Sequence, residues 1–443
     1  MKAFGKFALS AALAALSVLP ASAQGLCGFN ISGQSDADMA YEPVSAFVGR
    51  HAFGFEAYQH ISFRGDLSNS VSKMLRGEKV TVAFFGGSIT EMRGWKNLVE
   101  DDLREQFPQA DFEFVEAGIA SLGTTPHAFR FETDVLGHGT PDLLFVEAAV
   151  NDHTNGFGPV EQVRGMEGIV RHALKANPAM DIVLLHFIYD PFIPMLEAGE
   201  IPDVVLNHER VANHYHLTSV DLTSEISDRM KAGQFDWEQF GGTHPAIFGH
   251  KFYAAAIRRV LQKAAEGGVD ADAATSRLAT LPEPLDTFSY ENGCYVPLES
   301  ASLKGGFALD PSWEPAVPSG LRDGFHGVPM VSADKAGASL TLPFEGRAVG
   351  LEMVIGPDAG ILTWRVDKGV WKTVDPYTQW SRGLYLPWTL MLETELSAGK
   401  HVLELRTVSA GLGRSPQEGE SDDPYSAGVP RTACHIRNFV VNR

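Results

Sequence analysis

The chain has 443 residues, of which 44% are hydrophobic and 21% are charged, a size and composition typical of two or three globular domains. Its formal net charge is −19 at pH 7, and the acidic residues are spread along the chain. Nucleic acids and anionic membranes are bound through basic patches, so this charge argues against both as partners.

The first 23 residues have the features of a secretory signal peptide. Lys2 and Lys6 precede an apolar run, and Ala21-Ser22-Ala23 forms an A-x-A cleavage site. The apolar run is short for a membrane span, and no later stretch approaches one. The sequence therefore predicts an exported protein, periplasmic or extracellular, without a membrane anchor.

Three cysteines, Cys27, Cys294 and Cys434, are too few and too scattered for a metal cluster or a disulfide framework. In an oxidising compartment they allow one disulfide and one spare thiol. We favour a Cys294–Cys434 pair because both residues lie in the second predicted domain, with Cys27 as the competing partner. Leu26 stands where a lipoprotein signal would have a small residue, so no lipid anchor is predicted.

Residues 24–78 mix Asn, Ser and Gly with aromatic residues and predict an irregular segment packed on the domains. From residue 79 to residue 265, strands that are apolar on both faces alternate with helical stretches, which is typical of a parallel sheet between two layers of helices. The predicted strands of this three-layer α/β domain are VTVAFF, FEFVEAG, DLLFVEAAV, DIVLLHFIY and TSVDL.

Residues 266–285 have the Gly, Ala, Asp and Pro content of a linker. Residues 286–443 contain short apolar strands separated by Gly, Pro and Asp turns, and they predict an all-β sandwich of jelly-roll type. A polar loop is predicted at residues 411–428, between the last two strands.

One segment of the second predicted domain, PYTQWSRGLYLPW, is unusually rich in aromatic residues and includes Trp380, Arg382, Tyr385 and Trp388. Aromatic rings beside an arginine can form a platform for sugars. The same residues can also fill the core of a sandwich or seal it against a neighbouring domain, and we prefer this second interpretation.

The first strand of the α/β domain ends at Gly86-Gly87, and Ser88 follows where the next helix begins. A hydroxyl at the carboxyl end of a strand, beside a helix amino terminus, is placed as an exposed nucleophile would be. Taken alone, Ser88 is more simply explained as an N-cap, with Glu91 completing a capping box.

Three further blocks follow in order along the domain. They are FVEAGIASLGTT after the second strand, FVEAAVND at the end of the third strand, and GGTHPAIFGH before the last helix. Together with the Ser88 block they resemble the SGNH, or GDSL-like, hydrolase family over residues 79–265. The resemblance implies a flavodoxin-like three-layer sheet and a serine hydrolase acting on esters.

The resemblance also implies a role for each block. Ser88 would be the nucleophile, and His244 the base that takes its proton and returns it to the leaving group. The oxyanion hole would contain the Ser88 N–H and the Asn151 side-chain amide. The third donor falls at Ser121, with Gly123 as the alternative.

The position of the family's orienting aspartate, three residues before His244, is occupied here by Gly241. Either the site works as a Ser–His dyad or a nearby acid replaces the aspartate. We prefer Glu238 to Asp236 for that role. Asp152 is more simply explained as fixing its loop.

Export, an acidic surface and an appended sandwich predict an esterase that removes O-acyl groups, above all O-acetyl groups, from a poly- or oligosaccharide. The alternatives are an acyltransferase or a general small-ester esterase using the same site, and a non-catalytic carbohydrate-binding protein that retains the fold. No cofactor or metal site is predicted, since H-E-x-x-H does not occur. The acyl group, the sugar and the oligomeric state do not follow from these residues.

Overall fold

The computed structural model describes residues 43–50, 58–269, 281–411 and 428–443. The predicted signal peptide, Cys27, the middle of the predicted linker and nearly all of the predicted polar loop lie outside the described residues. The helices are α1 (Val44–Arg50), α2 (Ser68–Arg76), α3 (Ser88–Glu91), α4 (Trp95–Gln106), α5 (Thr124–Asp134), α6 (Ala149–Thr154), α7 (Pro159–Ala176), α8 (Ile193–Glu197), α9 (Asp203–His214), α10 (Leu222–Lys231), α11 (Trp237–Phe240) and α12 (Ile247–Ala265).

The strands divide between an α/β domain and an all-β domain. Those of the α/β domain are β1 (Ile61–Ser62), β2 (Lys79–Gly86), β3 (Asp111–Gly118), β4 (Leu143–Glu147), β5 (Asp181–His186) and β6 (Thr218–Asp221). Those of the all-β domain are β7 (Gly293–Val296), β8 (Ser302–Lys304), β9 (Ala308–Trp313), β10 (Gly320–Leu321), β11 (Val328–Ala333), β12 (Ser339–Glu345), β13 (Ala348–Ile355), β14 (Ile361–Val366), β15 (Lys372–Val374), β16 (Leu384–Glu393), β17 (Lys400–Val408) and β18 (Cys434–Asn442).

The α/β domain is built on a six-stranded sheet with the order β1-β6-β5-β4-β2-β3. Strands β2 to β6 are parallel, and β1 pairs with β6 in the antiparallel sense. The parallel strands alone have the flavodoxin-like order 2-1-3-4-5, in which the strand order reverses between β2 and β4. Ligands of such sheets bind at the carboxyl ends of the strands at this reversal, so the topology marks where a site should lie.

Helices cover both faces of this sheet, and β2 shows why its sequence is apolar throughout. Val82 and Phe84 belong to the core cluster on one face, together with residues of α4 and α12, while Ala83 and Phe85 belong to the cluster on the other face with residues of α5 and α7. Each large side chain buried in this way contributes about 1.5–3 kcal/mol. A strand covered on both faces cannot alternate polar and apolar residues, and the three-layer prediction is confirmed.

The segment before β2 is more regular than the sequence predicts. Its described part contains α1, β1 and α2, and Val71 and Met74 of α2 are completely buried in the main core. Strand β1 has only two residues, and it is stabilised by pairing with β6, about 160 residues later in the chain. Because the partner strand is so distant in sequence, the residues around β1 contain no pattern from which this strand could be predicted.

The second domain is the predicted all-β sandwich. One sheet has the order β10-β16-β13-β18-β11-β9, with β7 also paired to β18, and the facing sheet has the order β15-β14-β17-β12-β8. All pairs are antiparallel except β10 with β16. Every residue of β13 is buried, because this strand is central in its sheet and its two faces pack on the sandwich core and towards the α/β domain.

The two domains pack directly on each other. Helix α5 lies against β7, where the rings of Phe129 and Tyr290 are 4.9 Å apart between centroids. The nearly buried Arg164 of α7 forms ion pairs with Asp286 at 2.7 Å and with Glu395 at 2.8 Å. The interface therefore combines aromatic packing with paired charges. Among the helices within the described ranges, none combines the length and hydropathy that crossing a membrane requires.

The predicted Cys294–Cys434 disulfide is wrong in this structure. Both thiols are free, and Cys294 pairs across the ladder with Val441, seven positions from Cys434 along β18. At about 3.3 Å per residue the two cysteines are some 23 Å apart, far beyond the roughly 7 Å that a disulfide spans between its Cα atoms. The prediction failed because it placed both residues in one domain without knowing the strand register.

Candidate active site

Ser88 lies at the carboxyl end of β2, at the point where the strand order reverses. The backbone turns there through Gly86 and Gly87 into α3. A Cβ atom on Gly86 would lie 2.3 Å from Oε1 of Glu147, and one on Gly87 would lie 1.9 Å from Oδ1 of Asn151. The two glycines are therefore needed because neighbouring side chains approach the backbone closely, and they leave Ser88 half-exposed at the sheet edge.

His244 reaches the same place from the short connection between α11 and α12. Its Nε2 atom lies 2.7 Å from the Ser88 hydroxyl oxygen. Burial, together with the positive charge of Arg322, lowers the pKa of His244 to about 4. At neutral pH the imidazole is therefore uncharged and can accept the hydroxyl proton, as a general base must.

The structure does not bring the predicted orienting acids to this histidine. Gly241 has φ +99, and a Cβ atom there would lie 2.0 Å from the Ala246 nitrogen, so the backbone leaves no room for the family's aspartate. Glu238 is exposed, and within the described part of the chain no hydrogen bond or ion pair joins it to His244. The Asp236 carboxylate instead accepts the Gln239 N–H at 2.8 Å and caps α11.

The predicted oxyanion donors lie around Ser88. Asn151 and Ser121 line the same cavity as Ser88 and His244. Ser121 has φ +73, and its carbonyl accepts a hydrogen bond of 2.9 Å from the Asn155 side chain, which fixes this unusual backbone. Their roles as donors stay predictions.

Gly123, the alternative donor, is held behind the cavity by Asp152. A Cβ atom on Gly123 would lie 2.1 Å from the Asp152 carboxylate. That fully buried carboxylate accepts hydrogen bonds from the backbone and hydroxyl of Thr124, at 2.7 and 2.8 Å, and lies 3.0 Å from Nε2 of His208. Asp152 thus fixes the loop after β3, as the sequence suggested.

The all-β domain supplies one wall of this cavity, which sequence reasoning missed. Arg322, Trp380, Leu384 and Leu386 line it opposite the residues of the α/β domain. Arg322 follows the two-residue strand β10 and carries no sequence signal of a site. Trp380 belongs to the aromatic-rich segment, so a signal existed there without indicating which aromatic residue faces the cavity.

The other aromatic residues of that segment have structural roles. Tyr385 is completely buried and donates a hydrogen bond of 2.6 Å to Asp358. Trp388 packs against the sandwich core. The preferred interpretation of the segment as core and interface is correct for these two residues, while Trp380 packs against the same core and also lines the cavity. No group of three or more His, Cys, Asp or Glu residues suited to a metal ion occurs among the described residues.

Comparison with known proteins identifies the α/β domain. Residues 84–252 match the GDSL-like Lipase/Acylhydrolase family, which confirms the family predicted from the sequence blocks. Comparison with the curated proteins gave no match.

Two solved structures resemble both domains. They are a two-domain esterase (CEX) active on acetylated mannans, co-crystallised with mannopentaose, and the same esterase without it. The first is 23% identical with a TM-score of 0.66, and the alignment covers 88% of this chain and 98% of that chain. The second is 24% identical with a TM-score of 0.66, and covers 87% and 98%. This likeness confirms the two-domain fold.

A third structure, an acetylxylan esterase from Geobacillus stearothermophilus, is 19% identical over 41% of this chain and 94% of its own, with a TM-score of 0.33.

Proposed function

Residues 84–252 form a GDSL-like lipase/acylhydrolase domain, and on that premise we propose that the chain is a secreted serine esterase that removes O-acetyl groups from a carbohydrate. The observation that carries the proposal is the 2.7 Å contact between the Ser88 hydroxyl and Nε2 of His244 inside a cavity. A serine alcohol needs a base within hydrogen-bond distance to become a nucleophile at neutral pH, and here it has one.

In the proposed reaction, the Ser88 oxygen attacks the ester carbonyl while His244 accepts its proton. The Ser88 and Ser121 N–H groups and the Asn151 amide stabilise the oxyanion, each well-placed donor lowering the barrier by about 3–4 kcal/mol. The protonated His244 then gives its proton to the sugar oxygen as the C–O bond to the acyl group breaks, which leaves the acyl group on Ser88. Water then attacks this acyl-enzyme while His244 takes its proton, and the Ser88 oxygen regains that proton as the carboxylic acid departs. Gly241 cannot hold an acid and Glu238 does not contact the ring, so neither position that the sequence offers supplies a carboxylate to orient His244.

The size and the wall of the cavity support a small acyl group on a sugar. Its volume is about 60 Å³, and because one water molecule needs roughly 10–15 Å³, there is room for a group of about the size of acetyl. Trp380 and Arg322 give the opposite wall a flat aromatic surface and a hydrogen-bond donor, which suit a sugar ring and its hydroxyls. The two-domain esterases active on acetylated mannans share this architecture, so acetylated mannan is the first polysaccharide to test.

The test uses the purified chain with an activated acetyl ester and with acetylated mannan, measuring released acetate. Ser88→Ala and His244→Ala should each lower kcat by at least about 1,000-fold. Ser302→Ala and His138→Ala, exposed residues of the sandwich edge and of the opposite end of the α/β domain, are the matched controls. Equal turnover by wild type and Ser88→Ala would end the proposal, and binding of mannan without hydrolysis would favour a carbohydrate-binding protein.

A further inference from the structure

The peptide group that joins Gly86 to Gly87, one peptide before Ser88, is held at both of its polar atoms by the side chains of Arg130 and Glu147. Its carbonyl oxygen accepts hydrogen bonds from the Ile119 N–H at 3.0 Å and from the Arg130 guanidinium at 3.3 Å. Its N–H donates to the Glu147 carboxylate at 2.6 Å. The Arg130 guanidinium and the Glu147 carboxyl group therefore bind the two polar atoms of one peptide plane, its carbonyl oxygen and its N–H.

We propose that Glu147 is a positioning residue for catalysis, which together with Arg130 clamps the Gly86–Gly87 peptide and so fixes the Ser88 hydroxyl and the Ser88 N–H. This inference rests on the proposed function, because it assigns Glu147 a task for the Ser88 nucleophile. Glu147 itself touches neither substrate nor the reacting atoms.

The burial of Glu147 shows that its carboxyl group has a specific task. It lies at the carboxyl end of β4 with 2% of its surface exposed, and its Oε1 atom also accepts the Thr90 hydroxyl at 2.8 Å. Burial raises the pKa of Glu147 to about 7, although the hydrogen bonds from Thr90 and Gly87 act in the opposite direction. Burying a carboxyl group inside an apolar sheet carries an energetic penalty that a leucine would not, and the hydrogen bonds from Gly87 and Thr90 offset part of it.

The clamp is connected to the reacting atoms by a single peptide. Gly86 has no side chain, and only for that reason can Oε1 of Glu147 and the Thr90 hydroxyl come this close to the strand end. The next peptide carries the Ser88 N–H, and rotation of the clamped plane would move both this N–H and the hydroxyl that lies 2.7 Å from His244. A displacement of about 1 Å at reacting atoms can cost about 100-fold in rate.

The experiment compares three substitutions of Glu147. Glu147→Gln keeps an oxygen acceptor for Gly87 and Thr90, and it should retain kcat within about threefold. Glu147→Leu removes the hydrogen-bond acceptor, and Glu147→Asp moves the carboxyl group away from Gly87 by the length of one methylene. Each variant should lower kcat by about 10- to 100-fold while KM stays within about twofold. The rate at which a fluorophosphonate labels Ser88 should fall in parallel with kcat.

Glu167→Leu is the matched control, because Glu167 is also completely buried and also accepts two backbone N–H groups, those of Leu285 and Asp286. It should lose stability without losing kcat. If Glu147→Leu does not fold, as judged by circular dichroism, Glu147→Asp decides. Normal kcat and labelling in a folded Glu147→Leu or Glu147→Asp, with Ser88→Ala inactive, would overturn the clamp alone. Equal turnover by wild type and Ser88→Ala would overturn the proposed function and the clamp together.

Discussion

At the scale of single residues, the surroundings of His244, the proposed base, favour the neutral imidazole. Burial, assisted by Arg322, lowers its pKa to about 4 from the ordinary 6.5. A carboxylate against the ring would act in the opposite direction, because it stabilises the charged form. At neutral pH His244 is therefore uncharged and able to accept a proton.

The pH profile of the enzyme should report this pKa. Because a protonated His244 cannot accept the Ser88 proton, kcat/KM should fall as the pH drops through about 4 and stay level above about pH 5. The measurement is kcat/KM on a soluble acetyl ester between pH 3.5 and 8, with circular dichroism at each pH to confirm that the protein is folded. An acidic limb centred near the ordinary value of 6.5 would contradict the depressed pKa.

Glu238 gives the direct test of a dyad against a triad. Its side chain is exposed and does not contact His244, so Glu238→Gln should change kcat by no more than about twofold, because a solvated charge at this distance is screened. The measurement is kcat on the activated ester, with Asp236→Asn run alongside for the capping carboxylate. A loss of several orders of magnitude in Glu238→Gln alone would restore the triad.

At the scale of elements, the sequence predicts best what local patterns determine. Strand β2 is apolar on both faces because helices cover both faces, and its end at Gly86 is marked by the two glycines. The strand predicted over residues 142–150 extends three residues beyond the carboxyl end of β4 at Glu147, because Ala149 and Val150 are apolar residues of α6 rather than of the strand. Asn151 therefore lies on a short helix, which turns its amide towards the cavity.

Long-range contacts set the limit of such prediction. Glu147 looked like the ordinary end of a strand, and its role depends on Gly87 and Thr90, 60 and 57 positions earlier in the chain. Ser88, Asn151 and His244 were found because each belongs to a recognisable block. No local pattern could indicate that Gly241 adopts a backbone in which an aspartate would collide with Ala246.

The close packing around Gly86, at the end of β2, can be tested by adding a single methyl group there. In Gly86→Ala the new methyl group would lie 2.3 Å from the Glu147 carboxylate and 2.5 Å from the Thr90 hydroxyl. We expect a destabilisation of about 1–3 kcal/mol and a lower kcat, because overpacking forces the clamp apart. Gly137→Ala, whose added methyl group meets nothing closer than 3.5 Å, is the control for urea denaturation and kcat. Equal behaviour of the two variants would show that the turn at Gly86 is not tightly packed.

At the scale of the whole molecule, the cavity belongs to both domains. Ser88, Asn151 and His244 come from the α/β domain, while Arg322 and Trp380 come from the all-β domain. If the proposed function holds, the residues that react and the residues that select the substrate lie on separate parts of the chain, and substitutions in the second domain should alter selection more than chemistry.

Trp380→Ala should weaken the binding of the polysaccharide more than it affects the reaction of a small ester. Loss of the aromatic surface should raise KM for acetylated mannan by about tenfold, the equivalent of about 1.4 kcal/mol, and should affect the activated small ester less. The measurement is KM and kcat for both substrates. Trp371→Ala is the control, because this tryptophan stacks between Arg365 and Arg406 on the sandwich and does not line the cavity. The same change in KM for both substrates would contradict a role in sugar recognition.

The place of β18 in its sheet determines when the cavity can become complete. This strand, residues 434–442, pairs with β13 on one side and with β11 and β7 on the other. The sheet that carries Leu384 and Leu386 thus closes around a strand that lies about 350 positions after Ser88 in the chain. The turn at Ser88 is formed by residues close together in sequence, whereas the opposite wall of the cavity is complete only once β18 has paired in this sheet.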